Sequence, residues 1–166
     1  MKNNLKKMIL ASMMAGIAFV LNTFVYFPAM APFQHCVNVI STAFLGPWYG
    51  CLAAFICGVL RMMSGRTIQA IIGAIFGPII GGLLYKKTKN IYLLAIGEIF
   101  GTGIVGALAV YPFMRLFYNL EAVEWYYYVP FYTPSAVVGA IMGVTVLLIL
   151  KKSKMFDQLR AGLDER

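Results

Sequence analysis

The chain has 166 residues, 61% hydrophobic and only 12% charged, with a mean hydropathy of +0.79. A soluble domain carries roughly 25% charged residues, so this composition excludes one and makes lipid the solvent. The net charge of +8 does not mark a nucleic-acid surface, because the basic residues stand at the ends of apolar runs, where they orient helices in a membrane.

The first basic group, Lys2, Lys6 and Lys7, precedes an apolar run over residues 8–27. With Ala29-Met30-Ala31 behind it, this stretch imitates a secretory signal. The run is about 20 residues long, enough to span a bilayer and longer than a signal core, so a retained first helix is expected. Ala11 and Ala15 lie one turn apart on it. A small pair at this spacing brings helices close, either within the bundle or against another protein.

Residues 33–63 are ambiguous. They form either one kinked helix or two short ones, 33–46 and 48–63, meeting at Gly46-Pro47. Further spans are expected at 68–85, 91–111 and 131–150. The lysines decide the number. Lys86, Lys87 and Lys89 form a second group, and Lys151, Lys152 and Lys154 a third. With six spans, all three groups share the inner side with Arg160 and Arg166, which is 11 of the 14 basic residues. With five spans the split is 6 inside and 8 outside. The positive-inside rule therefore favours an all-α membrane protein, a six-transmembrane-helix bundle with both termini inside. Gly46-Pro47 becomes an inner turn, and the second and third helices are short.

Arg61, Arg66 and Arg115 then stand outside, against the charge bias. So do two loops, 28–32 and 112–130. The second holds Glu121, Glu124, Trp125 and Tyr126-Tyr127-Tyr128. Such aromatics fit an interfacial belt or a lid over a ligand. Gln34, His35 and Asn38 cluster at the outer end of the second helix, with Arg61, Ser64, Arg66, Thr67 and Gln69 on the same side. Amide, imidazole and guanidinium groups at one helix mouth point to a polar pocket. The candidate ligand contacts are Gln34, His35, Asn38, Arg61 and Gln69, with Tyr111, Trp125 and Tyr132 as the aromatics.

Glu98 is the only acidic residue inside a span. A carboxyl there is costly and marks either a structural lock or a ligand contact. Ser41 and Thr42 lie at similar depth and are its expected partners. Small residues recur every four positions at Ala54/Gly58, Gly73/Gly77/Gly81, Gly97/Gly101 and Gly139/Gly143, which predicts a compact bundle. Cys36, Cys51 and Cys57 read as packing residues without a disulfide. Zinc-ligand spacing, paired carboxylates, a serine–histidine pattern and a phosphate-binding glycine loop are all missing, so no catalytic residue, metal or cofactor is expected.

Three segments carry a resemblance. They are Pro32-Phe33-Gln34-His35-Cys36-Val37-Asn38-Val39-Ile40, then Leu45-Gly46-Pro47-Trp48-Tyr49, then the stretch from Gly97-Glu98-Ile99-Phe100 through Gly101-Thr102-Gly103 to Ala107-Leu108. In this order, on six spans, the chain resembles the ThiW family, substrate-capture (S) components of energy-coupling factor transporters linked to hydroxyethylthiazole, a thiamin precursor. The resemblance implies capture of a small-molecule substrate at the outer face of a prokaryotic-type plasma membrane. It implies as partners a transmembrane coupling protein and two ATPase subunits, which hydrolyse the ATP. It implies too that Ala11-Ser12-Met13-Met14-Ala15 meets the coupling protein. The chain departs from the family after Arg61. There the family pattern is Gly-Thr-Gly-Thr followed by Phe-Pro-Gly-Ser, but Ser64-Gly65-Arg66-Thr67-Ile68-Gln69 and Ile71-Ile72-Gly73-Ala74 stand here. A related or anionic heterocycle is therefore an alternative ligand. The competing readings are an S component for another vitamin-like solute, an ATP-independent transporter or channel, and a membrane-embedded structural subunit.

Overall fold

The computed structural model describes residues 2–25, 31–119 and 123–164. Phe27, most of the 28–32 loop, Glu121 and Arg166 lie outside the described residues. Among the described residues the chain is helical and has no strand. In order come α1 (Lys2–Phe24), α2 (Pro32–Leu45), α3 (Pro47–Met63), α4 (Gln69–Thr88) and α5 (Ile91–Phe100). A π-helical segment (Gly101–Gly106) then leads into α6 (Ala107–Tyr118), followed by α7 (Val129–Lys152) and α8 (Met155–Asp164).

Four helical stretches are long and apolar enough to cross a membrane: Asn3–Phe24, Gln69–Thr88, Ile91–Tyr118 and Val129–Lys152. Their outward faces carry large apolar side chains such as Met13, Ile17, Ile96, Phe100, Ile141 and Ile149. That is how a protein looks when its solvent is hydrocarbon. The two helices joined at Gly46 are shorter, with 14 and 17 residues, or about 21 and 25 Å at 1.5 Å per residue. Gly46 adopts φ +86°, a left-handed conformation that disfavours residues with a Cβ. Pro47 then starts α3 at a position where its missing N–H costs nothing.

Helix α2 is the hub. It packs against α1, α3, α4, α5 and α7, so its polar stripe is enclosed on every side. Helix α4 lies against α5 and the π segment through facing glycines. A methyl group on Gly101 would sit 2.7 Å from the Phe76 carbonyl, and one on Gly81 would sit 2.5 Å from that of Leu94. Close backbone approach of this kind replaces the hydrophobic drive that lipid removes.

Two expectations change. The helix expected at 91–111 runs on to Tyr118, with Pro112 inside it rather than opening a loop. A proline removes only one hydrogen bond, to the carbonyl four residues back, and the helix carries it. Helix α8 was not expected after the last lysines. Its Phe156 and Leu163, one face of an amphipathic turn, are buried while its other side stays wet. Phe156 rests on Phe44 at a ring distance of 4.7 Å, and Lys6 Nζ donates to the Gly162 carbonyl at 3.4 Å. Helix α8 thus closes the lysine-rich end.

Ala11 and Ala15 form the small pair of α1. Both have 0% exposure within this chain. Ala11 packs with Leu45, Ala53 and Leu163, and Ala15 with Ala18, Val37 and Cys57. Within this chain the small pair seats α1 on α2 and α3. The surface that α1 does expose is the ridge of Leu5, Met8, Ile9, Met13, Ile17 and Val20.

Candidate functional site

At the end opposite α8, the helices part around a cavity of about 270 Å³. Five elements build its wall. Helix α1 supplies Asn22, α2 supplies Gln34 and His35, and α3 supplies Arg61, with Arg66 just beyond it. Helix α4 supplies Gln69, Ala70, Gly73 and Ala74. The segment before α7 and its first turns supply Tyr127, Tyr128, Phe131, Tyr132 and Ser135. Drug-sized ligands occupy pockets of roughly 300–1,000 Å³, so this volume suits a one-ring solute.

Local chemistry holds each wall in place. The Ala31 N–H donates to Ser135 Oγ at 2.8 Å, tying the start of α2 to α7. After α3 the chain reverses at Gly65, φ +96°, and Ser64 Oγ donates to the Leu60 and Arg61 carbonyls, both at 2.9 Å. Arg61 is thereby turned inward, where its Nη1 donates to Gln34 Oε1. Gln34 is fully buried, and its Nε2 has no partner among the described residues. Among the described residues no carboxylate lines the cavity.

The aromatic side begins at Tyr128, buried against Ala107, Val110 and Met114 of α6. Tyr127 and Tyr128 meet edge to face at 5.2 Å, as do Tyr128 and Tyr132 at 6.3 Å. The Tyr132 hydroxyl donates to the Gln69 carbonyl at 3.1 Å, and its ring lies on the bare backbone of Gly73. This geometry makes an expected outcome specific. Gly73→Ala pushes the Tyr132 ring, a movable side chain, into the cavity. Ligand affinity should fall about tenfold or more, with a stability loss of about 1–3 kcal/mol that leaves the protein folded. Parallel binding and melting measurements check this.

Beneath the cavity lies a buried polar cluster. Glu98, with 0% exposure, brings Oε1 within 3.1 Å of His35 Nδ1, 3.0 Å of Asn38 Nδ2 and 3.3 Å of Thr102 Oγ1. Gly77 leaves room for the carboxyl, since any Cβ there would run into Glu98 and Thr102. Pro78 contributes at a distance. Lacking an N–H, it frees the carbonyl of Ala74, four residues back, and Asn38 Nδ2 reaches that carbonyl at 3.4 Å. The π segment starts three residues after Glu98, at Gly101, where such wide turns often mark functional sites. Below the cluster the packing is apolar, with Val39, Ala43, Leu94, Ala140 and Leu147. No polar path continues toward the lysine end through these residues.

Of the expected contacts, Gln34, His35, Arg61, Gln69 and Tyr132 line the cavity. Asn38 sits one layer below, on Glu98. Tyr111 is half-buried on α6, rotated away from the inward Val110 and Met114. Trp125 is 59% exposed, edge-on to Tyr126. Neither lines the cavity. Glu98 is held by His35, Asn38 and Thr102, and the expected partner Ser41 donates instead to the Asn38 carbonyl at 3.1 Å. The Thr42 hydroxyl has no partner among the described residues. Asn22, Phe131 and Ser135 were not singled out from sequence.

An all-helical protein with lipid-compatible outer faces and a ligand-sized cavity at one end belongs to the class of small-solute membrane transport proteins. Comparison with known families is specific. The model of the thiamine-precursor transporter protein (ThiW) family matches residues 8–153, and the chain belongs to that family. No curated protein and no solved structure matches it.

Proposed function

We propose that this chain is the substrate-capture subunit of an energy-coupling factor importer, binding hydroxyethylthiazole or a closely related heterocycle in the cavity. In this reading the chain crosses the plasma membrane of a prokaryotic-type cell six times, with both termini inside. Helices α2 and α3 are the two short crossings, and the cavity opens outside. A transmembrane coupling protein and two ATPases complete the importer. The observation that carries the reading is the position of the cavity in a ThiW-family chain. It is lined by Arg61 and Arg66, at the end away from the three lysine groups, as an outward-facing capture site should be. The apolar packing below Glu98 favours a capture subunit over an open channel, since conduction needs a continuous polar path. The ridge of Met8, Ile9, Met13, Ile17 and Val20 on α1 replaces Ala11 and Ala15 as the candidate face for the coupling protein.

The test is uptake of labelled hydroxyethylthiazole by cells carrying this chain with and without the coupling protein and ATPases. Accumulation should require all of them. Equal uptake without the coupling proteins would contradict the reading and point to an independent carrier.

A further inference from the structure

His35 joins the cavity to the buried cluster. Its Nδ1 faces Glu98 Oε1 at 3.1 Å, an oxygen that Asn38 Nδ2 and Thr102 Oγ1 also approach, at 3.0 and 3.3 Å. An amide NH₂ meets an oxygen only by donating to it. With Glu98 as a carboxylate, which can only accept, Oε1 takes all three contacts and Nδ1 carries the proton. In a neutral imidazole the other nitrogen is then an acceptor. Nε2 has no hydrogen bond among the described residues, and His35 lines the cavity.

We propose that Glu98 is a positioning residue that fixes the His35 tautomer, so that Nε2 offers a lone pair to the cavity and selects ligands presenting an O–H or N–H there. The proposal rests on the reading of this cavity as the ligand site. Arg61 on the same wall has the opposite sense, because a guanidinium can only donate. A fitting ligand must therefore give a proton at one point and accept at another. A hydroxylated heterocycle does both. A carboxylate or a fully ionised phosphate ester has nothing to give Nε2.

His35 is the only histidine of the chain, so selective nitrogen labelling of histidine in the full-length protein yields a single pair of ring signals that report the tautomer directly. The ligand-free protein should show Nδ1 protonated and Nε2 bare, and added hydroxyethylthiazole should move the Nε2 signal. The alcohol should bind about tenfold or more tightly than the ethyl analogue lacking the hydroxyl. Glu98→Gln, whose amide oxygen can take the place of Oε1, should keep both the tautomer and the preference. Glu98→Leu, where it folds, should lose both.

A proton on Nε2 in the native protein, with or without one on Nδ1, would overturn the proposal. So would equal binding of alcohol and ethyl analogue, or tighter binding of the corresponding carboxylate. Failure of every thiazole to bind would instead overturn the ligand reading and the selection that rests on it. The ring signals would still decide the tautomer.

Discussion

Glu98→Leu is expected to destabilise the protein by about 3 kcal/mol or more, the range for removing one partner of a buried charged cluster. The carboxyl is fully enclosed and answers His35 Nδ1, Asn38 Nδ2 and Thr102 Oγ1 at once. Leucine leaves His35 Nδ1 and Thr102 Oγ1 without this acceptor and Asn38 Nδ2 with only the Ala74 carbonyl at 3.4 Å, and each buried donor left unpaired costs about 1–3 kcal/mol when no water replaces the partner. The damage reaches four elements, because these donors and the carboxyl tie α2 to α5 and the π segment, and Asn38 also reaches α4 through Ala74. Glu98→Gln should be nearly neutral. Only Oε1 is used, and Oε2 has no partner, so an amide can keep the accepting oxygen in place. Thermal unfolding in detergent, with maleimide labelling of the buried Cys36 and Cys57 as a second probe, reads the difference. A leucine variant as stable as the native chain would contradict this role.

Arg61→Ala is expected to weaken ligand binding by about a hundredfold, the order for losing a charged hydrogen-bond donor. Arg61 lines the cavity, and its Nη1 donates to Gln34 Oε1. Without it the Gln34 side chain, fully buried, loses its one side-chain partner among the described residues and is free to rotate out of register. Arg61→Lys should recover the charge but little of the affinity, because an ammonium cannot reproduce the planar fork that reaches an amide and a ligand together. Arg115, an exposed arginine of α6 outside the cavity wall, is the matching control, and its alanine variant should bind normally. Equilibrium binding to the purified variants distinguishes these outcomes.

Much of this site was legible in the sequence because its polar residues stand out in an apolar chain. Gln34, His35, Arg61 and Gln69 were conspicuous for that reason, and all four line the cavity. The aromatics were harder. Tyr111, Trp125 and Tyr132 are chemically alike, and only Tyr132 turns inward. One residue along a helix is a rotation of 100° (3.6 residues per turn), and a sequence without a known facing helix does not fix that rotation. Ala11 and Ala15 show the same ambiguity. Their spacing announces a close helix contact but not whether the partner is α2 and α3 or another protein. The partner of Glu98 was missed for a different reason. Depth along the helices suggested Ser41 and Thr42, whereas the crossing of α2 and α5 brings His35 and Asn38 to it instead. The carbonyl freed by Pro78 and the π segment are tertiary consequences that residue types alone do not announce.

The most direct test of the central claim is equilibrium binding of hydroxyethylthiazole to the purified chain and to Gly73→Ala. The expected result is saturable binding at one site, weakened about tenfold or more when the Tyr132 ring is pushed into the cavity, with the fold intact by melting temperature. Absence of saturable binding to the native chain, or equal affinity in both proteins, would contradict the assignment of this cavity as the capture site.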